Sequence, residues 1–266
     1  MKFFILLGLG LAMSATSVRA QDTARIQVRY KFSHVRDTNN RANPYRENMV
    51  LLVGKYASVY KSRDRRMEEV ASPQPDGTVR TDRRGFGSRV EYYQNLKEKK
   101  MDRVDWLPMT DFLISDVLPA ISWKISTDTA SFGGLRCQKA TGHFRGRDYI
   151  VWFCPDLPLH AGPWKLNGLP GVIVEAYDSK NDVRFSCDGI EKIDPTVIQA
   201  PGNGVKITDK EFARLQETLR KDPDAFSRSM AAMQGGDVAG GRGPKMDIKF
   251  GPGPVMNNPI ELPEKQ

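Results

Sequence analysis

Three histidines, His34, His143 and His160, are the residues of this 266-residue chain best suited to acid–base chemistry or metal binding. Their spacing matches no metal motif, and the chain has no His-Glu-x-x-His, Cys-x-x-Cys, Gly-x-Ser-x-Gly or phosphate-loop pattern. His143 and Asp148 would face each other across a predicted hairpin, where such pairs ordinarily stabilise the sheet. The sequence therefore assigns no catalytic residue, metal ligand or cofactor, and it favours a protein that is not an enzyme.

The acidic residues leave one alternative open. Asp148, Asp156 and Glu175 are carboxylates that a hydrolase of peptide or glycan would use. A deep polar pocket with paired acids would favour that hydrolase, whereas an apolar, uncharged concavity would favour a binding protein.

The chain has three cysteines, so one is left over if two of them pair. A two-residue turn at 145–146 sets the register of a predicted hairpin between 135 and 154 and places Cys137 opposite Cys154. This position is not hydrogen-bonded, and Cα atoms there lie about 4.5 Å apart, which suits a disulfide. We predict a Cys137–Cys154 disulfide; pairing of Cys137 with Cys187 is the main rival, and free thiols are the other alternative.

The N-terminus has the features of a secretory signal. Lys2 precedes an apolar run at 3–12, and residues 18–20 end in alanine. We expect cleavage after Ala20, a mature chain that begins at Gln21, and a periplasmic or secreted protein with no transmembrane segment. Loss of Lys2 and Arg19 lowers the formal charge from +8 to +6, and an exported protein of this charge is not expected to bind nucleic acid.

Alternating apolar and polar residues predict a mainly β fold, of β-rich α+β type. The first strand places Ile26, Val28, Tyr30 and Phe32 on one face. Further short strands are predicted near 49–53, 57–60, 90–93, 104–107, 112–114, 121–125, 169–177 and 183–187. We predict one domain over 21–234, built as a curved antiparallel meander sheet or a partly open barrel.

Two regions depart from this strand pattern. The stretch 62–87 is rich in Arg, Asp and Gly; it is predicted to be the least ordered internal segment, with a short helix near 66–70 and its arginines in solvent. Towards the C-terminus, Thr208 and Glu211 form a capping box and Asp222 precedes Pro223, so two helices are predicted. Residues 235–266 are rich in Gly and Pro and are predicted to be a flexible tail.

The segment 162–174 is a rigid, glycine-rich elbow that leads into a buried strand. Together with 145–153 it resembles the GLPGLI family of bacterial envelope proteins, which is known mainly from Bacteroidetes. The motif ends in Gly-Val-Ile where the family has Gly-Leu-Ile, and the resemblance is most specific between Cys137 and Asp178. The ending at 258–261 also resembles the C-termini of that family, which implies a short extended contact with the body. The resemblance implies an envelope protein of unassigned activity with an accessory role beside TonB-dependent outer-membrane receptors.

The elbow also carries the predicted binding site. Trp164 is held between Pro163 and the turn 168–171, so it is expected to rim a groove for an apolar ligand or a partner strand, with core packing as the alternative. The predicted site consists of Trp152, Trp164, Gly168, Leu169, Pro170 and Gly171. The sequence thus predicts a non-enzymatic binding or accessory module of the cell envelope, whose partner is an apolar ligand or an outer-membrane receptor.

Overall fold

The computed structural model describes residues 22–73, 79–108, 110–157, 159–233 and 256–264, and for 67–73 and 79–86 only the course of the backbone. The predicted signal, 1–20, lies outside these ranges. The strands are β1 (Thr23–His34), β2 (Tyr45–Val53), β3 (Ala57–Ser62), β4 (Arg66–Pro73), β5 (Val79–Phe86), β6 (Glu91–Asn95), β7 (Lys100–Leu107), β8 (Thr110–Val117), β9 (Trp123–Phe132), β10 (Leu135–Phe144), β11 (Arg147–Cys154), β12 (Val172–Asp178), β13 (Val183–Val197) and β14 (Val205–Ile207). The helices are α1 (Asp209–Lys221) and α2 (Pro223–Met233).

Twelve of these strands form one open sheet, in the order β14-β8-β7-β6-β3-β2-β1-β13-β12-β11-β10-β9. Neighbouring strands are antiparallel, except that β14 runs parallel to β8. Most pairs are consecutive along the chain, and the β1–β13 pair joins the two halves. The prediction of a mainly β protein with an open antiparallel sheet and C-terminal helices is confirmed.

Strand β2 explains how the sheet is covered on both sides. Met49, Leu51 and Val53 belong to the largest apolar core, together with residues of β10 to β13 and the elbow. Val50 and Leu52 point the other way, into a smaller cluster. The unbroken apolar run 49–53 therefore reflects a strand buried on both faces.

The two helices cover another part of the sheet. Phe212 and Leu215 of α1 and Phe226 of α2 pack with Phe112 of β8 in a separate core. Thr208 caps α1, since its side chain accepts from the Glu211 amide while the Glu211 carboxylate accepts from the Thr208 amide. The predicted capping box is confirmed.

Two regions differ from the sequence prediction. The segment at 66–73 is strand β4, which pairs with β5 as a separate two-stranded ribbon, so the helix predicted near 66–70 is wrong. Alternate residues there are too polar for the pattern to indicate a strand. At the other end, residues 256–264 lie against the body, with Asn258 buried, so the flexible tail is wrong for these residues and the contact expected at 258–261 is confirmed. The remainder of the predicted tail, 235–255 and 265–266, lies outside the described residues.

The predicted hairpin register is confirmed. Phe144 faces Arg147 and Lys139 faces Trp152 across β10 and β11. Cys137 and Cys154 form a disulfide with a Cα–Cα distance of 4.1 Å, so the rival pairing with Cys187 is wrong. Cys187 is a free, half-buried thiol whose pKa is raised, chiefly by burial.

Candidate functional site

The elbow is shaped by close backbone approaches. A Cβ on Gly171 would lie 2.3 Å from the Cys154 carbonyl oxygen, and a Cβ on Gly162 would lie 2.6 Å from the Leu166 carbonyl oxygen. Val172 and Ile173 donate backbone hydrogen bonds back to Leu157 and Ala161, at 3.1 and 2.9 Å. The glycines are therefore needed because the loop folds tightly onto the end of β11 and onto itself.

Trp164 lies inside this fold. Its side chain is only 3 % exposed, and its ring centroid lies 5.6 Å from that of Phe144 and 6.5 Å from that of Tyr149. The carbonyl oxygen of Trp164 accepts a hydrogen bond of 3.0 Å from the Gln94 amide. Most of the Trp164 side chain is therefore packed in the core, which was the alternative to the expected groove rim. It lies there because the inner face of the sheet needs an apolar cover and Trp164 supplies it.

The backbone of Trp164 is also unusual. Its φ is +56°, in the left-handed region that bulky residues rarely occupy. Such a conformation costs about 1–3 kcal/mol and persists only where the surroundings over-determine it. Packing around the indole and the bond from Gln94 supply that constraint.

The other predicted site residues are scattered around the elbow. Leu169 is buried in the core, and Trp152 packs against Phe132 with a centroid distance of 5.9 Å. Gly168, with φ +91°, and Pro170 are exposed, whereas Gly171 is buried. Of the predicted set, Trp164 lines the cavity described next, and the other five residues are not among its lining residues.

A half-open aromatic cavity of about 150 Å³ lies beside Trp164, on the inner face of the sheet. Trp164 and Ile260 line it opposite residues of β1, β2, β3, β6 and β13. The wall is mostly apolar and aromatic: Phe32, His34, Arg36, Tyr45, Glu47, Met49, Tyr60, Ser88, Val90, Tyr92, Trp164, Phe185 and Ile260. We call this space the aromatic cavity.

The aromatic rings of the wall pack against one another. Phe32 stacks on Phe185 with a centroid distance of 5.0 Å, and Tyr60 meets the edge of Phe185 at 6.1 Å. Each such pair contributes about 0.5–1.5 kcal/mol of stability beyond that from burying the two rings. The wall is therefore a preformed apolar surface of the kind that small-ligand sites use.

One carboxylate lines the cavity, and its oxygens already accept hydrogen bonds from the protein. Glu47 is buried and accepts a hydrogen bond of 2.6 Å from the Tyr45 hydroxyl and another from the Ser88 amide. The Arg36 guanidinium lies 3.5 Å above the Tyr45 ring. Burial, followed by the Glu47 contact, raises the pKa of Tyr45 to about 12, so its hydroxyl remains a donor at neutral pH.

The Tyr60 hydroxyl and the indole Nε1 of Trp164 are the unsatisfied polar groups of the wall. Both are buried, and neither has a hydrogen-bond partner among the residues that the structure describes. Burial, above all, raises the pKa of Tyr60 well above its usual value, so the group is a neutral hydroxyl. An unsatisfied buried hydroxyl costs about 1–3 kcal/mol, which a ligand atom that bonds to it would offset.

One side of the cavity is closed by residues 256–264, which we call the C-terminal segment. Arg147, itself buried, donates 2.7 Å hydrogen bonds to the Asn258 side-chain oxygen and the Pro259 carbonyl, and one of 2.9 Å to the Ile260 carbonyl. It also forms a 2.6 Å ion pair with Asp178 and lies 4.0 Å from the Asp182 carboxylate. Arg147 thus ties the segment to the β11–β12 part of the sheet.

His34 contacts the same segment as a neutral imidazole. Burial, reinforced by the positive charges of Arg147 and Arg36, lowers its pKa to about 4. Its Nε2 lies 2.8 Å from the Asn258 carbonyl oxygen, so Nε2 carries the ring proton and donates a hydrogen bond to that oxygen. The Asn258 side-chain amide in turn donates 2.7 Å to the Val35 carbonyl.

Charged groups hold the far end of the segment. The Glu261 carboxylate pairs with the buried Lys165 ammonium and lies 3.4 Å from Arg145. Glu264 lies 2.8 Å from Nε2 of His143, whose other ring nitrogen is 2.6 Å from Asp148. The segment is therefore recognised through its backbone, its amide and its carboxylates.

The carboxylates proposed for a hydrolase are not brought together. Asp148 lies at the start of β11, exposed and paired with His143, while exposed Asp156 lies just beyond the end of that strand. Glu175 is buried and satisfied by Arg184 at 2.7 Å and the Cys187 amide at 2.8 Å. Asp148 raises the pKa of His143, with a further contribution from Glu264, as expected for an exposed ion-pair network.

Two solved structures of PNGF-II share this fold in part. Neither a family model nor a curated protein sequence matches the chain. The PNGF-II structure in space group P21 has a TM-score of 0.53 and 12% identity over 72% of this chain, and the one in space group C2 has 0.52 and 12% over 74%. The chain spans 32% and 33% of those two chains, about a third of PNGF-II. At this identity the likeness concerns the fold alone.

Two further findings bear on the chemistry of the site. Across the described ranges, no group of three or more His, Cys, Asp and Glu side chains is placed to hold a metal ion. Among those same residues, no helix is long and apolar enough to cross a membrane. The groups that do converge are aromatic rings, the unpartnered Tyr60 hydroxyl and Trp164 indole N–H, and the Ile260 side chain of the docked segment, an arrangement that can bind an apolar group.

Sequence reasoning missed most of the residues that line this cavity. Phe32 belonged to the predicted face of β1, and Tyr60 to a predicted strand, but alternation says only that a face is buried. It does not say that β13 folds Phe185 onto the same face. The available signal was the density of aromatic residues on that face: Tyr30, Phe32, Tyr45, Tyr60 and Tyr92.

Proposed function

We propose that this protein is a non-enzymatic binding module of the bacterial cell envelope whose aromatic cavity takes up a small apolar group. The observation that carries the proposal is the preformed aromatic wall, which is closed by Trp164 and contains the unpartnered hydroxyl of Tyr60. An apolar group that bears one hydrogen-bonding atom would fill the space and satisfy that hydroxyl. No paired carboxylates accompany it among the lining residues, so the hydrolase alternative has no specific observation in its favour.

Binding of toluene and p-cresol tests the cavity directly. The two probes differ by one hydroxyl, so p-cresol should bind more tightly if it reaches Tyr60. Saturation-transfer NMR and the shift of melting temperature would measure both affinities. We expect Tyr60→Phe to remove most of the preference for p-cresol, because the substitution deletes the unpartnered hydroxyl and keeps the ring.

Tyr149→Phe is the matched control for that experiment. Tyr149 also carries a buried hydroxyl without a partner in the described part of the chain, but it is not among the residues that line the cavity. Its substitution should leave the preference unchanged. Failure of both probes to bind the wild-type protein, or equal effects of Tyr60→Phe and Tyr149→Phe, would refute uptake of an apolar group by this cavity.

The envelope location forms part of the same proposal. The N-terminal signal pattern supports it, and so does the Cys137–Cys154 disulfide, because such bonds persist in oxidising compartments. N-terminal mass analysis of the protein from envelope fractions should find a chain that begins at Gln21. An intact chain that begins at Met1 would contradict export with cleavage.

The GLPGLI resemblance adds a proposed partner. The elbow 162–174 and the docked residues 258–261 both resemble that family, so an accessory role beside a TonB-dependent outer-membrane receptor is the proposed setting. Crosslinking in native envelopes followed by mass spectrometry tests it. Recovery of no outer-membrane receptor from the crosslinked material would count against this setting, and would leave the cavity experiment unaffected.

A further inference from the structure

The C-terminal segment is held as a bound peptide is held. Its backbone takes part at several points: the Asn258 amide donates 3.0 Å to the Arg36 carbonyl, and the Leu262 amide donates 3.0 Å to the Arg145 carbonyl. Arg147 donates to the carbonyls of Pro259 and Ile260. Main-chain bonds of this kind give affinity in peptide recognition, while side-chain pockets give specificity.

Three side-chain positions of the segment meet specific groups on the body. The Asn258 amide is enclosed by Arg147, the Val35 carbonyl and Asp182. The Ile260 side chain lines the aromatic cavity. The Glu261 carboxylate meets Lys165 and Arg145, so the groove is positively charged at that point.

The fit at the middle position is incomplete. With Ile260 in place, about 150 Å³ of space lined by aromatic rings remains beside it. A larger apolar side chain at this position would bury more surface without losing the flanking contacts, and burial contributes about 25 cal/mol for each Å² removed from water. The chain's own segment therefore underfills its groove.

We propose that this groove is a recognition site for an extended peptide of a partner protein, with the pattern Asn-x-aromatic-acidic, and that residues 256–264 occupy it until such a peptide displaces them. The inference rests on the proposed function in one respect, since the aromatic residue enters the cavity assigned there to an apolar group. A second copy of this chain is a poorer occupant. Exchange of identical segments replaces one set of contacts by the same set and adds the cost of association.

The test uses the full chain and fluorescein-labelled peptides that span 256–264. The tethered segment competes at an effective concentration of about 1 mM, so wild-type protein should bind the peptide weakly. Asn258→Ala in the chain removes the amide contacts of the tethered segment and leaves the groove intact. We expect the labelled peptide to bind this variant about tenfold more tightly than wild type in fluorescence anisotropy, since hydrogen bonds to a charged partner are among the strong ones.

Met256→Ala is the matched control in the same segment. The Met256 side chain is exposed, so its removal should leave peptide binding as weak as in wild type. If Asn258→Ala does not fold by circular dichroism, Glu261→Gln in the full chain takes its place under the same criterion. Absence of peptide binding to the folded variant, or equal binding to the variant and the Met256→Ala control, would overturn the proposal.

Variants of the peptide test the recognised pattern. An Ile260→Phe peptide should bind at least about fivefold more tightly than the native peptide, and an Ile260→Ala peptide should bind more weakly. The reason is that affinity increases with the apolar area buried in the cavity. Equal affinities of these peptides would refute the aromatic position. A concentration-dependent dimer of Asn258→Ala in light scattering would identify a second copy as the occupant and overturn the partner assignment.

The two proposals fail separately. Toluene or p-cresol binding together with no peptide binding would retain the cavity and reject the peptide groove. Peptide binding that is insensitive to the residue at 260, with no binding of either small probe, would retain a groove and reject the cavity as its specificity pocket.

Discussion

Arg147 is the residue whose loss should separate the C-terminal segment from the sheet. Its guanidinium is buried and forms three hydrogen bonds to residues 258–260 in addition to the ion pair with Asp178. Substitution by Met keeps much of the side-chain volume but leaves the Asp178 carboxylate buried without its cation. Breaking a buried pair in this way typically costs about 3–5 kcal/mol.

Asp178 retains part of its support, which places the expected loss at the lower end of that range. Its other oxygen accepts from the amides of Asp182 and Val183, at 2.6 and 3.0 Å. We therefore expect Arg147→Met to lower the free energy of unfolding by about 3 kcal/mol. Urea denaturation at pH 7, followed by circular dichroism, would measure it.

Arg145→Met is the control for this prediction. Arg145 is half-exposed and lies 3.4 Å from Glu261, so its loss should cost less than about 1 kcal/mol. Protease cleavage near 256–264 should increase in Arg147→Met well before global unfolding. If the two arginine variants lose equal stability, or if Arg147→Met loses less than about 1 kcal/mol, the account of a buried clamp is wrong.

Three further predictions concern the elbow, the disulfide and acid. Gly171→Ala should cost about 3 kcal/mol in urea denaturation, because its Cβ would clash with the Cys154 carbonyl. Gly168→Ala should cost about 1–2 kcal/mol, because it places Ala at an unfavourable positive φ while its Cβ would make only an ordinary 3.8 Å contact with Nε1 of Trp123. The reverse order of the two losses would contradict this. Replacing Cys137 and Cys154 together by Ala should cost about 3 kcal/mol, checked by melting temperature after peptide mapping has shown the bond in wild type. The pKa of His34 is about 4 in the folded protein, below its value in the unfolded chain, so the unfolded chain binds the proton first. The free energy of unfolding should therefore fall by at most about 3 kcal/mol as the pH drops from about 6.5 to about 4. His34→Gln should reduce this pH dependence, and an unchanged dependence would refute the prediction.

Features with local causes could be predicted from the sequence. The Arg145-Gly146 pair adopts positive φ at both positions, as a two-residue hairpin turn requires, and that turn alone fixes which residues face each other along β10 and β11. The Cys137–Cys154 disulfide follows from this register. The capping box at Thr208 and Glu211 is likewise a signal contained within four residues.

Features that depend on distant residues could not be predicted in the same way. The β4–β5 ribbon forms from polar segments whose pairing leaves no apolar alternation. The sequence predicts a contact at 258–261 but not its partners, because Asn258 docks on Arg147, more than a hundred residues earlier in the chain, and on Asp182. A Gly-rich and Pro-rich composition predicts that a segment cannot build a core of its own, but it does not exclude that the segment binds to a core built elsewhere.

Trp164 shows how the same sequence pattern leads to a different site. A large aromatic residue between Pro163 and a glycine turn suits an exposed rim and a buried plug equally well, and the sheet decides between them. The inner face of β1 to β3 presents more aromatic surface than the strands themselves can cover. The elbow therefore folds onto this face, and Trp164 adopts a left-handed backbone conformation that brings its side chain into contact with the core. Because Trp164 and Ile260 together leave space unfilled, the cover is incomplete. The proposed binding surface therefore lies beneath the elbow, between Trp164 and the C-terminal segment.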